Sequence, residues 1–173
     1  WQGQAGRCAI LVGSCSETTR KPIAFHATTG AQYKNDVASV MRGEMTIDGL
    51  LSWLLAQDRL PIFYSSASPI AVQHVQAEFG MKAVANRLDR LFGDLAIALV
   101  AAGVERLVVA GGETSGAVVE ALRLKSLSMG PEIDLGVPAM RAGSNLTIAL
   151  KSGNFGADDF FEKAAAILAG GAK

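Results

Sequence analysis

Short apolar runs alternate with amphipathic stretches along this chain. The runs end at Gly and small polar residues, which predicts buried strands that lead into loops. The predicted strands are residues 7–13, 61–66, 106–110 and 146–151. Apolar residues elsewhere recur every three or four positions, which predicts helices. The predicted helices are residues 18–28, 46–58, 70–79, 82–102, 117–125 and 158–168. The alternation predicts a three-layer α/β domain with a largely parallel sheet flanked by helices.

Two segments depart from this regular pattern of strands and helices. Residues 126–143 are punctuated by glycine and proline, so they are expected to form turns or short antiparallel strands. The first predicted helix contains Pro22. Because a helix tolerates proline only in its first turn, we expect Pro22 to lie there.

The composition narrows the class of protein. The 173 residues are 50% hydrophobic and carry 16 basic against 16 acidic side chains, which predicts one domain with a large core. A zero net charge without a run of Lys or Arg argues against nucleic acid or a membrane surface as a partner. Cys8 and Cys15 indicate neither a disulfide nor a metal site, so a cytoplasmic location is expected. Because the chain begins at Trp1 instead of Met, we interpret it as a piece of a longer protein.

Four predicted strands end in small polar residues. The sequences are GSCS at 13–16, SSAS at 65–68, GGETSG at 111–116 and SGNFG at 152–156. The carboxyl ends of parallel strands share one edge of a sheet, where α/β proteins bind ligands. Glycine-rich turns at the start of helices present N–H groups and the positive end of the helix dipole to anions. A phosphate is therefore the expected ligand.

Structural interpretations of these residues stay open. GGETSG is equally typical of a tight turn with an ordinary N-cap, and neither a Walker A loop nor GxGxxG occurs. Lys151, at the end of its strand, could meet a phosphate as a point charge, but solvation is the more common situation for such a lysine and is expected here. His26 and His74 lack partners at metal-ligand spacing. Acidic pairs near 132–134 and 158–159 are interpreted as turn and N-cap residues, with Glu162 in a capping box with Asp159.

Three of these motifs, together with the GPEIDLGVP stretch at 130–138, carry a family resemblance. GSCSETT after the first strand, VAGGETSGAVVEAL in the middle and ALKSGNFGADDFF near the end resemble the C-terminal, nucleotide-binding domain of the four-carbon acid sugar kinases. The resemblance covers about residues 7–161, and the loop sequences are most similar to the 3-oxo-tetronate kinase branch. One departure is at Lys21-Pro22, where the GSCS-x-x-T-x-x-Q pattern of the family leads us to expect a Gln.

The resemblance implies an ATP-dependent kinase that phosphorylates a four-carbon acid sugar, such as 3-oxo-tetronate, at its terminal hydroxyl. It implies ATP and Mg²⁺ as cofactors, and an N-terminal domain outside this chain that binds the sugar acid and supplies the catalytic base. A homodimer is a further expectation. The residues that the resemblance assigns to ATP are Ser14, Ser16, Gly111, Gly112, Glu113, Thr114, Ser115, Gly116, Gly153, Asn154 and Gly156.

Two functions from other classes stay open on the residues alone. The first is a non-catalytic phosphometabolite-binding or regulatory module, because no convincing catalytic base is present. The second is a hydrolase that uses Ser14 or Ser65 at a strand end, although a GxSxG elbow is absent.

Overall fold

The computed structural model describes residues 1–13, 16–65 and 69–171. These residues form one sheet with helices on both faces. The strands are β1 (Arg7–Val12), β2 (Ala31–Lys34), β3 (Pro61–Tyr64), β4 (Val104–Ala110), β5 (Ser128–Asp134), β6 (Val137–Ala142) and β7 (Leu146–Lys151). The helices are α1 (Glu17–His26), α2 (Val37–Met41), α3 (Ile47–Leu55), α4 (Pro69–Phe79), α5 (Met81–Ala101), α6 (Gly112–Ala121) and α7 (Phe160–Leu168).

The sheet is parallel over five strands and antiparallel over the last two. Its order is β2-β3-β1-β4-β7-β6-β5, with parallel pairs from β2 to β7 and antiparallel pairs between β7, β6 and β5. This arrangement confirms the predicted α/β class and the antiparallel alternative for residues 126–143. The carboxyl ends of β3, β1, β4 and β7 are therefore neighbours at one margin of the sheet, which we call the carboxyl edge.

Two apolar cores cover the two faces of the sheet. Side chains of α2, α3, α5 and α6 pack on one face, with Leu95 and Leu99 of α5 fully buried. Helices α1 and α7 pack on the other face, where Phe160 and Phe161 are fully buried. Burial of such side chains is the main stabilising contribution, at about 1.5–3 kcal/mol each. No helix in the described residues is long and apolar enough to cross a membrane.

Four elements differ from the sequence predictions. Helix α6 begins at Gly112 and not at residue 117, so most of the predicted GGETSG loop is the first turn of a helix. Helix α1 begins at Glu17 and contains Pro22 in its interior, so the expectation of a first-turn proline was wrong. Strand β2 and helix α2 were not predicted. Strand β2 is only four residues long and half exposed, which hides it from an apolar pattern.

The start of α7 differs as well. Asp159 occupies the N-cap position, but its side chain makes no capping hydrogen bond and instead pairs with Lys163 at 3.1 Å. Glu162 Oε1 is hydrogen-bonded to the buried His26 Nδ1 at 2.7 Å and accepts from the Thr29 hydroxyl at 2.7 Å. The predicted capping box was therefore wrong, because Glu162 joins α7 to α1 instead.

Candidate functional site

Backbone hydrogen bonds align the strand ends at the carboxyl edge. Gly13, just after β1, donates its N–H to the last carbonyl of β4 at 3.0 Å. Gly111, just after β4, donates to the last carbonyl of β7 at 2.8 Å, and Ser65, just after β3, donates to the last carbonyl of β1 at 2.8 Å. The four predicted loops therefore leave the sheet side by side. Ser14, Cys15 and residues 66–68 lie outside the described residues.

Helix α6 starts at this edge without a side-chain cap. Gly111 is its N-cap residue, at φ 117°, and no side chain accepts from the first turn. The first helical bond runs from the Ser115 N–H to the Gly111 carbonyl at 2.8 Å. The N–H groups of residues 112–114 have no intrahelical acceptor, and the helix dipole concentrates positive charge there. The α6 start is therefore an anion-binding geometry.

The glycines of this edge divide into two kinds. A Cβ on Gly13 would lie 1.8 Å from Thr114 Oγ1, so Gly13 is needed for α6 to pack against the end of β1. A Cβ on Gly112 or on Gly116 would meet nothing within 4 Å. Packing among the described residues therefore does not require glycine at these two positions, and within that part of the chain both leave open space beside the helix start.

The β1 and β7 loops touch each other across the β4 end. Ser16 Oγ donates to the Gly153 carbonyl at 3.2 Å, and the Thr18 hydroxyl donates to the same oxygen. Ser16 also contacts the buried Thr19 hydroxyl at 2.7 Å. These contacts bring two of the predicted ATP loops together. Thr18 was missed from sequence, although a hydroxyl two residues after Ser16 was a readable signal.

Lys151 is fully buried at the end of β7, where solvation was expected. Its exposed fraction is 0%, and Nζ donates to the Ser152 carbonyl at 3.3 Å while lying 5.9 Å from the Phe160 ring centre. Burial lowers the pKa of this amine below its usual value. No carboxylate lies within ion-pair distance of Lys151 in the described residues. A positive charge without an acidic partner therefore lies beneath the loop at 152–156.

Further polar groups surround the α6 start. Ser115 Oγ is buried and has no hydrogen-bond partner among the residues that the structure describes. Glu113 is exposed in the first turn of α6. The pKa of Asp89, on α5, is raised mainly by its partial burial and then by the neighbouring charge of Glu113. The Ser115 hydroxyl and the Glu113 carboxylate therefore lie in the first turn of α6, where the N–H groups have no acceptor among the described residues.

The remaining predicted ATP residues differ in their surroundings. Asn154 is exposed in the loop after β7. Gly156, at φ 92°, is held against the protein itself, since a Cβ there would lie 2.8 Å from Lys151 Cε and 3.0 Å from the Phe160 ring. Its glycine is therefore explained by the positive φ together with this packing.

A cavity of about 500 Å³ lies at the opposite margin, the amino edge. It is lined by Arg7, Arg59 and Arg106 among others. Arg106 donates to the Gly6 and Ala165 carbonyls at 2.9 and 2.8 Å, and Arg7 donates to the Leu55 carbonyl. Two of the three guanidinium groups therefore already bind backbone carbonyls. Cys8 also lines this cavity, and burial raises the pKa of its thiol to about 12.

The described residues do not bring together the side chains that a protein-ligated metal site or a serine hydrolase site needs. No group of three or more His, Cys, Asp or Glu side chains gathers in them. Ser65 is buried. Both ring nitrogens of His26 are engaged, with Glu162 at 2.7 Å and the Leu60 carbonyl at 3.0 Å, so His26 is not available as a base for Ser65.

Comparison with known proteins identifies relatives of this fold. The family described as "Nucleotide-binding C-terminal domain" matches residues 9–161. A 3-oxo-tetronate kinase of Burkholderia multivorans is 42% identical over 96% of this chain and 40% of the relative. One of Brucella melitensis is 43% identical over 92% and 37%. A solved Haemophilus influenzae structure of the DUF1537 family superimposes with a TM-score of 0.90 at 32% identity, over 97% of this chain and 42% of that one.

These matches agree with the motifs at the carboxyl edge. The chain spans about 40% of the length of the curated relatives that it matches. The matched range, 9–161, contains the loops after β1, β4 and β7. The chain belongs to the nucleotide-binding C-terminal domain family, and relatives named 3-oxo-tetronate kinase confirm the resemblance carried by its loop sequences.

Proposed function

We propose that this chain is the ATP-binding part of a kinase that phosphorylates a four-carbon acid sugar, such as 3-oxo-tetronate, at its terminal hydroxyl. The observation that carries the proposal is the uncapped start of α6, which faces open space at Gly112 between the β1 and β7 loops. The relatives named 3-oxo-tetronate kinase support the substrate class.

The phosphate chain of ATP lies at the α6 start in this proposal. Backbone N–H groups of Gly112, Glu113 and Thr114 donate to phosphate oxygens, and the helix dipole stabilises their negative charge. The Ser115 hydroxyl gains the partner that it lacks. Ser16 and Gly153 form the opposite wall. Phosphoryl transfer depends mainly on such positioning and charge stabilisation.

The residues present also fit Mg²⁺. This ion prefers carboxylate and phosphate oxygens, and Glu113 offers an exposed carboxylate beside the α6 start. The protein has no net positive charge, so a bound Mg²⁺ supplies charge neutralisation for the phosphates. Lys151 adds a positive charge from beneath the β7 loop without leaving its buried position.

The acceptor side of the reaction lies elsewhere in this proposal. Because the chain corresponds to about 40% of its relatives, the sugar-acid pocket and the base that activates its hydroxyl belong to the other part of the full-length kinase. This chain alone is then expected to bind ATP without appreciable transfer. Self-association into a homodimer stays a prediction, which light scattering tests.

Calorimetric titration with Mg-ATP tests the proposal. Gly112→Ala and Gly112→Val place side chains of increasing size in the open space, so affinity is expected to fall stepwise, by about 100-fold or more for Val. The unfolding midpoint should stay close to that of the wild type, because no protein atom is contacted. Equal affinity of all three proteins, or no binding by the wild type, would refute the assignment.

A kinase assay separates the catalytic proposal from a non-catalytic binding module. The full-length protein is expected to transfer phosphate from ATP to 3-oxo-tetronate, and its Gly112→Val variant is expected to lose this activity. ATP binding by the full-length protein without transfer to any four-carbon acid sugar would favour the module.

A further inference from the structure

Two large apolar side chains are exposed together at the carboxyl edge. Leu135, at the turn between β5 and β6, is 83% exposed, and Phe155, in the loop after β7, is 44% exposed. Single exposed apolar residues are common on protein surfaces. These two are neighbours, because the Phe155 ring lies over Gly136: a Cβ on Gly136 would be 3.2 Å from it. They form a small apolar surface, which we call the Phe155 platform.

The platform is fixed to the rest of the domain. The Gly136 N–H donates to Glu132 Oε1 at 2.9 Å, which holds the β5–β6 turn. Asp134 Oδ2 accepts from the Ala157 N–H at 2.8 Å, and Asp134 also pairs with Lys163. The turn and the β7 loop are therefore tied to each other and to α7. A loop held in this way loses little conformational entropy when a ligand binds beside it.

The platform is continuous with the proposed phosphate site. Phe155 lies two residues after Gly153, whose carbonyl binds Ser16 and Thr18. From the α6 start, the platform lies across β7 towards β6, a step of two strand spacings or roughly 10 Å. A nucleotide that places its phosphates at α6 reaches this distance with its base.

In the opposite direction along the edge, no ring of the described residues is as exposed as that of Phe155. Tyr64, at the end of β3, is partly buried against the core on the α1 and α7 face. Towards β3 and β2, Phe63 is fully buried. Tyr33 packs between Trp53 and Phe63, at 5.2 and 5.8 Å between ring centres. These aromatic side chains stabilise the core and are not presented to a ligand.

From these observations we propose that the Phe155 platform stacks the nucleobase of ATP. The inference rests on the proposed function, since it places the base relative to phosphates at α6. Leu135 extends the apolar surface beside the ring. Stacking on an aromatic side chain tolerates any base, because every base has a π face.

Titration with Mg-ATP and with Mg-tripolyphosphate tests the platform. Tripolyphosphate carries the phosphates without a base, so Phe155→Ala should weaken ATP about 10- to 100-fold and leave tripolyphosphate within about twofold. Phe155→Tyr should keep ATP affinity within about threefold. Phe25→Ala is the matched control, since Phe25 is 41% exposed on α1, and it should change neither ligand.

The outcomes distinguish the two proposals. If Phe155→Ala leaves ATP affinity unchanged while the wild type binds both ligands, the platform is wrong and the phosphate site stands. An equal loss of both ligands also overturns the platform, because it indicates a role in shaping the loop or in docking another segment. If the wild type binds neither ligand, the proposed function fails and the platform falls with it.

Discussion

The polar groups at the two edges of the sheet differ in how fully they are hydrogen-bonded within the protein. At the amino edge, Arg106 binds two backbone carbonyls at 2.9 and 2.8 Å, and Arg7 binds a third. At the carboxyl edge, Lys151 has one long hydrogen bond at 3.3 Å and no carboxylate partner among the described residues, and Ser115 Oγ has no partner. Buried polar groups are normally satisfied. The amino-edge cavity is therefore lined by guanidinium groups that are already hydrogen-bonded, whereas the carboxyl edge keeps polar groups for a ligand.

A cavity therefore does not by itself locate the ligand site of this protein. The amino-edge cavity contains charged side chains whose donors already stabilise helix ends and strand starts. The carboxyl edge keeps N–H groups, a hydroxyl and a cation for a ligand. Each edge therefore predicts a different response to substitution.

Removal of the Arg106 guanidinium should have the largest effect on stability. Arg106→Met leaves the Gly6 and Ala165 carbonyls without their donor, so the free energy of unfolding should fall by about 2–4 kcal/mol. Affinity for Mg-ATP should stay unchanged, as chemical denaturation and calorimetry would measure. A loss of ATP affinity in a folded variant would mean that the two edges are not separate in function.

Alanine substitution at two glycines of the carboxyl edge should change the free energy of unfolding in opposite directions. Gly13→Ala forces a Cβ against Thr114 and should lower the free energy of unfolding by about 1–3 kcal/mol. Gly116→Ala meets nothing within 4 Å and should raise it by about 0.5–1 kcal/mol, since alanine is the better helix former. Denaturant unfolding measures both. Equal destabilisation would contradict the distinction between packing glycines and open ones.

Lys151 links stability to pH. Burial lowers the pKa of Lys151 in the folded protein, so the unfolded chain holds this proton more tightly. The free energy of unfolding therefore rises as pH increases from the lowered folded pKa to the usual 10.5. Lys151→Met should therefore be more stable than the wild type at pH 7, by about 1 kcal/mol or more. The difference in the free energy of unfolding between the two proteins should narrow as pH approaches the usual lysine pKa. Thermal unfolding across pH measures it, and a pH-independent gap would contradict the explanation.

The same substitution should have a smaller effect on binding. Lys151→Met removes a positive charge from beneath the β7 loop, so affinity for Mg-ATP should fall by about three- to tenfold. The direction is opposite to the effect on stability. Calorimetry at pH 7 would reveal it, and an unchanged affinity would remove Lys151 from the proposed site.

Much of the fold could be predicted from the sequence. Apolar periodicity located β1, β3, β4 and β7 and the long helix α5, because these elements bury continuous apolar stripes. Strand β2 was missed because its side chains are only partly buried at the sheet margin. The start of α6 was misplaced because glycine is a poor helix former, whereas here it lies in a helical first turn with open space beside it.

The site was less predictable than the fold. The motifs indicated a ligand edge, and the structure brings Ser16, Gly153 and the α6 start together there. The burial of Lys151 could not be predicted, because it depends on Gly156 and Phe160 closing over the amine. The sequence pattern also could not show that Gly13 is a packing residue while Gly112 is open. Those distinctions arise from contacts between distant segments.

Hydrogen–deuterium exchange with and without Mg-ATP tests most directly which edge binds the ligand. Slower exchange is expected in peptides that cover 111–116 and 152–156 at the carboxyl edge, with no change in peptides that cover 57–60 and 104–106 at the amino edge. Protection confined to the amino-edge peptides, or none at either edge under saturating ligand, would contradict the central claim.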